Sequence, residues 1–508
     1  MKRRALIPLL SLLLPLACGD DSSSEGADNA DEIGSEDTSG TAEGAEAEAE
    51  GAEAEAEGAE AEAEGDGDGD PSGDGDGDPS GDGDGDPSGD GDGDPSGDGD
   101  GDPSGDGDGD PSGDGDGDST GDGDGDGDGD GDGDDNCMGN QPPQDYHFSI
   151  LWVANSPEGT VSKIDTVAGV ELARYYTDDP DLDPDPSRTS VNLNGDVAVA
   201  NRRSGSVIMI ATRVEDCVDL NNNGMIDTSQ GPSDILPWGT DECVLWKVDL
   251  PGQFGQANWS SGPRAVAWTG EVDQFCNPAP RLWVGWRDVA TDSGRVRRFL
   301  ADGTPDGDAE FPEWNDINNF GVYGGAVDQA GDFWGIGKHN STLIRVSLED
   351  LDAQRFDNPA ATVLYGMAVD EEGTPWIAGA WSDDIIWRFD RDTETWEDHG
   401  DTGHTHLRGM TVDSFGRAWF AANIPCGLTH FDTINDTMVE AQIPLPGCSE
   451  PVGVTIDADD FVWVIDRGAD LAYKVDPDTY EVSTIGGLVG PYTYSDMTGF
   501  GLNLVSPQ

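Results

Sequence analysis

The chain has 508 residues, with 106 acidic side chains against 25 Lys and Arg and a formal net charge of −81. An acid excess of this size repels a phosphate backbone and excludes nucleic acid as a partner. Seven cysteines with no CxxC pair fit an exported protein and leave zinc-type and thioredoxin-type chemistry without their motifs.

The N-terminus reads MKRRALIPLLSLLLPLAC. Lys2, Arg3 and Arg4 precede an apolar run of about a dozen residues, too short to span a bilayer and flanked as an export signal is. The run ends at Ala17-Cys18, which resembles a bacterial lipoprotein signal. That resemblance implies a signal peptide over 1–17 and a lipid-modified Cys18. The protein would then be anchored in the bacterial cell envelope, at the outer membrane or cell surface, touching membrane through its lipid alone. The other reading is secretion after cleavage near Ala17.

Residues 18–136 form an acidic low-complexity linker. GAEAEAE occurs three times from Gly44 and GDGDGDPS six times from Gly65, and a Gly-Asp run continues to Asp134. Through Asp135 there are 47 acids and three bases, and the rest of the chain has 59 acids and 22 bases. Such a segment has almost no large apolar side chains to bury and repels itself, so it is expected to be disordered. As a neutral coil it would average about 60 Å end to end, and like charge extends it further. This is the composition of a spacer.

Residues 137–508 repeat. YGGAVDQAGDFWGIGKHNSTLIRVS, YGMAVDEEGTPWIAGAWSDDIIWRFD, RGMTVDSFGRAWFAANIPCGLTHFD and VGVTIDADDFVWVIDRGADLAYKVD align on Trp334, Trp376, Trp419 and Trp463, spaced 42, 43 and 44 apart. Alternating strands broken by Asp/Gly turns give four antiparallel strands per unit, which is a β-propeller blade. Three degenerate units precede them, the first containing Trp152 and the third containing Trp283. The first lacks its opening strand, and PYTYSDMTGFGLNLV at the C-terminus reads as that missing strand. The expected fold is therefore all-β, a seven-bladed propeller whose C-terminal strand closes blade one and removes exposed edges. The repeated tryptophans are expected between neighbouring sheets as core.

This pattern resembles the streptogramin (virginiamycin B) lyase-like, NHL and YVTN-repeat propellers, with WVANSPEGTVSKIDTVAG (152–169) close to the YVTN type. The lyases of that group use histidine, glutamate and magnesium on one propeller face. Their blades often carry Trp-x-Thr-Glu, whereas Gly335-Ile336, Ile377-Ala378, Phe420-Ala421 and Val464-Ile465 follow the tryptophans of this chain. The catalytic set cannot be carried over. The resemblance implies the fold, and two functions stay open: a non-catalytic ligand- or partner-binding module, or a lyase-like metal-dependent enzyme.

An insertion over 217–243 lies within blade two. Its DLNNNGMID resembles an EF-hand-type calcium loop. Asp219, Asn221, Asn223 and Asp227 would supply side-chain oxygens and Met225 its carbonyl, while Gly224 permits the turn and Ile226 points inward. Gln230 stands where the bidentate glutamate is expected, and Asp234, Asp241 or Glu242 could replace it. The expected cofactor is structural Ca2+. The alternative is an Asn-rich turn held by its own hydrogen bonds. Six cysteines besides Cys18 allow fifteen pairings. Proximity in sequence favours Cys217–Cys243 and Cys426–Cys448, which leaves Cys137–Cys276.

Three further groups carry chemistry. In blade register, Arg202, Arg203, Arg287, Lys338, His339 and Arg467 fall in loops between second and third strands, and Arg188, Arg264 and Arg408 at the starts of first strands. Trp381, Tyr323 and Tyr365 lie near the same rim. In a propeller these positions gather on one face around the channel, where a cationic ring focuses an anion. The partner class is an anionic small molecule, glycan or protein bound by a monomer. Alternatively Asp288, Asp383 and Asp466 neutralise the ring locally. His404 and His406 could share a metal as weak catalytic candidates, or be solvent-facing loop histidines. GxSxG, P-loop, HExxH and dinucleotide motifs are absent from the sequence.

Overall fold

The computed structural model describes residues 149–273, 277–380 and 384–506. Cys18, Cys137, Cys276, Trp381, Asp383 and the acidic linker lie outside the described residues.

The described chain forms seven antiparallel sheets. They are β1–β3 (Ile150–Asn155, Thr160–Asp165, Val170–Tyr176) and β4–β7 (Pro186–Val191, Val197–Asn201, Ser206–Ile210, Val244–Asp249). Next come β8–β11 (Ala265–Trp268, Arg281–Asp288, Ser293–Leu300, Pro305–Phe311) and β12–β15 (Val322–Val327, Phe333–Gly337, Thr342–Val346, Ala353–Asp357). The last three are β16–β19 (Val363–Val369, Pro375–Ala380, Ile385–Asp390, Thr395–Asp401), β20–β23 (Thr405–Val412, Arg417–Ile424, Gly427–Asp432, Thr437–Ile443) and β24–β27 (Pro451–Ile456, Val462–Asp466, Leu471–Val475, Val482–Ile485). Consecutive strands are neighbours in every sheet, so each is a meander and each is one blade of a seven-bladed propeller. First strands touch across blade boundaries, β4 on β8, β8 on β12, β12 on β16, β16 on β20 and β20 on β24, and so line the central shaft.

One hairpin design recurs in the last four blades. An aspartate at the end of the first strand accepts the indole N–H of the tryptophan six residues later. The pairs are Asp328–Trp334 at 3.0 Å, Asp370–Trp376 at 2.8 Å, Asp413–Trp419 at 3.3 Å and Asp457–Trp463 at 2.7 Å. The other carboxylate oxygen accepts turn amides, as Asp457 does from Asp459 and Phe461. The tryptophans are buried, as a core role requires. In blade two Asn192 keeps the turn bonds, and Ala198 stands where the tryptophan would be.

First strands approach closely at the axis, and glycine permits it. A Cβ on Gly409 would lie 2.6 Å from the Val452 carbonyl oxygen, and one on Gly453 would lie 1.8 Å from that of Thr493. Any side chain there would force neighbouring blades apart.

The C-terminal segment closes the ring on β1. Tyr492 N donates to Ala154 O and Met497 O accepts from Trp152 N, each at 2.9 Å, and Pro491 bridges Asn155. It does so as an irregular ribbon, and the reading of 491–505 as one strand is corrected. Residues Phe500–Val505 form a short helix, α1. Asp496 explains the change, because its carboxylate accepts the amides of Gly499 at 2.7 Å and Leu502 at 3.0 Å and turns the chain into a helix. Leu502 and Val505 then pack into the core with Val454, Met367 and Met410 around a shaft cavity of about 60 Å³. Asp496 also borders that cavity, which leaves it partly exposed although it lies deep in the protein.

Candidate functional site

The irregular start of the first strands places Ser187, Arg264, Tyr323, Tyr365, Arg408 and Val452 at one equivalent position of the shaft, and Arg188 follows one residue later in blade two. The closing segment adds Tyr494, and its neighbour Tyr492 joins the same cluster. These positions bring three cations around one phenol ring. The charged groups of Arg188, Arg264 and Lys338 lie 5.0, 5.7 and 4.8 Å from the Tyr323 centroid. Lys338 and Arg408 lie 5.2 and 4.8 Å from Tyr365. Arg188 also stacks on Tyr494. Cation–π attraction to several rings offsets part of the dehydration of these charges.

Hydrogen bonds fix the cluster. Arg188 Nη2 donates to Tyr323 O at 2.9 Å, and Arg264 Nη1 donates to Ser260 O at 2.7 Å. Arg408 Nη1 donates to the Tyr365 hydroxyl at 3.0 Å. With its amide turned to pair oxygen with guanidinium, Asn423 accepts from Arg408 Nη2 and Nε at 2.9 and 3.1 Å. The Tyr492 hydroxyl lies 2.7 Å from that of Tyr365 and 3.4 Å from that of Tyr323.

Around this centre is an acidic and basic border. Arg202 and Arg467 lie 4.7 and 5.5 Å from the Tyr492 centroid. Arg202 pairs with Asp185 at 2.5 Å, and Arg467 Nε pairs with Glu450 at 3.0 Å. Phe320 packs between Arg264, Lys338 and His339. His339 Nδ1 is 3.4 Å from Asp316. Burial pushes the Asp316 carboxyl up, but the hydrogen bond and charge of His339 and nearby backbone amides outweigh it and leave its pKa lowered.

The structure thus joins Arg188, Arg264, Lys338 and Arg408 in one cluster, with Arg202, Arg467 and His339 at its border. Arg287 turns to its own loop, pairing with Asp292 at 2.6 Å and donating to Asp316 O at 3.0 Å. One expectation is revised. The cations do not stand in an open mouth: Arg188 and Arg264 are 0 % exposed, Arg408 1 % and Lys338 2 %. The reason is Tyr492 and Tyr494, which the ring closure inserts among them. Sequence reasoning missed both, although a closing strand in blade one had to place alternate side chains in the shaft. It also missed Glu450, Asn423, Trp259 and Phe320.

His404 and His406 do not form a metal pair. The His404 ring is buried, its Nδ1 3.2 Å from Pro425 O and its Nε2 against Ala441 O. Both ring nitrogens thus face backbone carbonyl oxygens and neither is turned toward a site shared with His406. His404 is not solvent-facing either; it ties the β21–β22 turn to β23. His406 donates its amide to Asp384 at 3.1 Å.

The blade-two insertion runs between β6 and β7, closed by the Cys217–Cys243 disulfide, and Cys426–Cys448 is also formed. Gly224 takes a φ of +84°, and Ile226 packs on the core. Asp219 accepts the amides of Asn223 and Gly224 at 3.2 and 2.9 Å. Asp227 Oδ2 accepts from the amides of both Asn221 and Asn223 at 2.8 Å. Glu242, not Asp234 or Asp241, closes the loop, accepting from Leu220 and Asp227 N at 2.8 Å. The oxygen donors suit a hard cation, with Glu242 in place of the missing twelfth residue and the two asparagine amides needing to turn their oxygens inward.

No family model matches the chain, and no curated protein matches it. Among solved structures it is similar to a streptogramin B lyase, at TM-score 0.46 and 15% identity, covering 63% of this chain and 87% of that one. A virginiamycin B lyase from Staphylococcus aureus gives 0.43 and 13%, covering 61% and 89%. A protein from Lactobacillus plantarum gives 0.47 and 14%, covering 68% and 97%. These are likenesses of fold, and none assigns a role to a residue of this chain.

Proposed function

We propose that the propeller is a non-catalytic binding module for a small molecule or glycan bearing a carboxylate or phosphate, received at the tyrosine-lined end of the shaft. The observation that supports this reading is the convergence of Arg188, Arg264 and Lys338 on Tyr323. Charges that all lie within 5.7 Å of one ring centroid are at most about 11 Å apart and repel by at least ~1.5 kcal/mol per pair at an effective dielectric of ~20. An acid group bound beside this centre, where Arg408 and Arg467 also face Tyr365 and Tyr492, is attracted by all of these charges. Guanidinium forks grip such a group at two points, and the linked hydroxyls of Tyr323, Tyr365 and Tyr492 add donors. Titration calorimetry of the full-length protein with galacturonate and with inorganic phosphate tests this. Saturable binding that weakens as ionic strength rises, and that Arg188→Met reduces at least tenfold, is expected. Absence of saturable heat from both probes at low ionic strength refutes it. Conversion of the probe, followed by NMR, would make the module a lyase or hydrolase instead.

On the same reading lipidated Cys18 holds the protein at the bacterial envelope, and residues 18–136 space the propeller from the surface. The signal sequence supports this. Wild-type protein should fractionate with membranes and Cys18→Ser should not; equal solubility of the two would sink the anchor.

Calcium is proposed as a structural ion of the 219–227 loop, held by Asp219, Asn221, Asn223, the Met225 carbonyl, Asp227 and Glu242. The spacing and the inward turn of Glu242 support it. A chelator should lower the melting temperature of wild type and leave Asp219→Ala unaffected, and no chelator effect on wild type would leave the self-bonded turn.

A further inference from the structure

We propose that Glu450 is a built-in competitor for the anion site, its carboxylate holding the place that the acid group of a ligand takes. This deepens the binding reading above and rests on it. Glu450 bridges two arginines: Oε1 is 3.5 Å from Arg408 Nη2 and Oε2 is 3.0 Å from Arg467 Nε. One oxygen on each of two guanidinium groups is also how an incoming carboxylate would bind between them. The two arginines differ in depth. The Arg408 side chain is 1 % exposed and that of Arg467 is 24 %, so Glu450, at 22 %, spans from the buried cluster to the solvent side.

The backbone around Glu450 is held firmly, so its side chain is the part that can move. Asp466 is fully buried and accepts the amides of Ser449 and Glu450, each at 2.8 Å. Glu450 O accepts from Arg467 N at 2.9 Å. Cys448, two residues earlier, is fixed to Cys426 by the disulfide. Arg408 keeps its bonds to Tyr365 and Asn423 when the Glu450 carboxylate swings away, so the cationic centre stays built. A ligand must therefore displace one charge-assisted contact per arginine, and only an acid group that replaces both contacts gains. A neutral or singly contacting ligand leaves Glu450 in place. The residue thereby selects for two-point acids.

Glu450→Gln keeps the size of the side chain and removes its charge. Calorimetry on full-length wild type and Glu450→Gln with galacturonate and inorganic phosphate is expected to show Kd falling about tenfold in the variant. An unchanged or weaker Kd in Glu450→Gln, with wild type binding, overturns the competitor role and leaves the binding reading intact. No binding by either protein overturns both. Binding by the variant alone supports the competitor role in its strongest form. A crystal structure of wild type with phosphate keeps the test open if the variant folds poorly. The Glu450 carboxylate should have left Arg408 and Arg467, and phosphate bound with both contacts intact refutes the proposal.

Discussion

Replacing Asp457 with alanine tests whether the aspartate–tryptophan pair holds each blade hairpin. Asp457 is fully buried and accepts Trp463 Nε1 at 2.7 Å and the amides of Asp459 and Phe461 at 3.0 Å, with Lys474 Nζ 3.5 Å away. Without the carboxylate the indole N–H is stranded between sheets, which costs about 1–3 kcal/mol. The two turn amides sit beside exposed residues and regain water, so they add about 0.5 kcal/mol each. The expected loss is about 3 kcal/mol, or a melting temperature lower by about 5 °C for a domain of this size. Trp463→Phe removes the donor and leaves only a small gap, so alone it should cost about 1–2 kcal/mol. The decisive measurement is the double variant by denaturant titration. With no indole N–H left to strand, it should lose about 1–2 kcal/mol less than the sum of the single losses. Losses that add to within about 0.5 kcal/mol would show that the tryptophan acts by packing alone and that its bond to Asp457 is incidental.

Ending the chain at residue 490 removes Tyr492, Tyr494, Leu502 and Val505 from the core, a loss of about 8 kcal/mol of burial, so soluble yield and melting temperature should both fall sharply. A truncated chain that melts like the whole one would place ring closure elsewhere. Replacing Cys217 and Cys243 together with serine should cost about 3 kcal/mol by loop entropy, read by the same denaturant titration. Burial raises the Asp370 pKa above its ordinary value against the opposing bonds from Trp376 and Thr374. Its folded pKa therefore exceeds its unfolded one, so its contribution is fully present below the unfolded carboxylate pKa and is lost as pH rises through the raised value. Asp370→Asn should flatten that slope in melts across the acidic range, and an unchanged slope would refute the assignment.

The tryptophan spacing made the blades legible, because a period near 43 with alternating strands admits few other architectures. The aspartate six residues before each tryptophan was equally visible, but an aspartate in a turn reads as turn chemistry, and only the fold shows its second oxygen reaching the indole. Blade two retains the turn with Asn192 and has no tryptophan to match, so its register came from its neighbours. The C-terminal helix was hidden for a related reason. Residues 491–497 alternate as a strand does, and the break at Asp496 depends on side-chain bonds to amides beyond it. Blade register put Arg202, Lys338, His339 and Arg467 between second and third strands, where they lie, but Arg287 falls on β9 and the burial of the cluster was not foreseen. Burial is set by Tyr492 and Tyr494, which arrive some 300 residues after Arg188 and only through ring closure.

That dependence couples the site to the closure. Tyr492 carries both the amide that bonds Ala154 and the ring that Arg202 and Arg467 face, so the same segment seals blade one and completes the cationic cluster. A ligand that binds the cluster only when this segment is docked must stabilise docking by its own binding free energy, which at about 100 times Kd is about 2.7 kcal/mol. Local opening of a terminal segment is the low-energy route to amide exchange, so the effect should appear there before it appears in the melting temperature. Saturating galacturonate should therefore slow hydrogen exchange at the amides of Trp152 and Tyr492, by up to about a hundredfold, with little change in the outer strand β23. Equal slowing in both places would mean that the ligand stabilises the whole ring without selecting the closed segment. No slowing at Trp152 and Tyr492 in a protein that binds the probe would place the ligand away from the tyrosines.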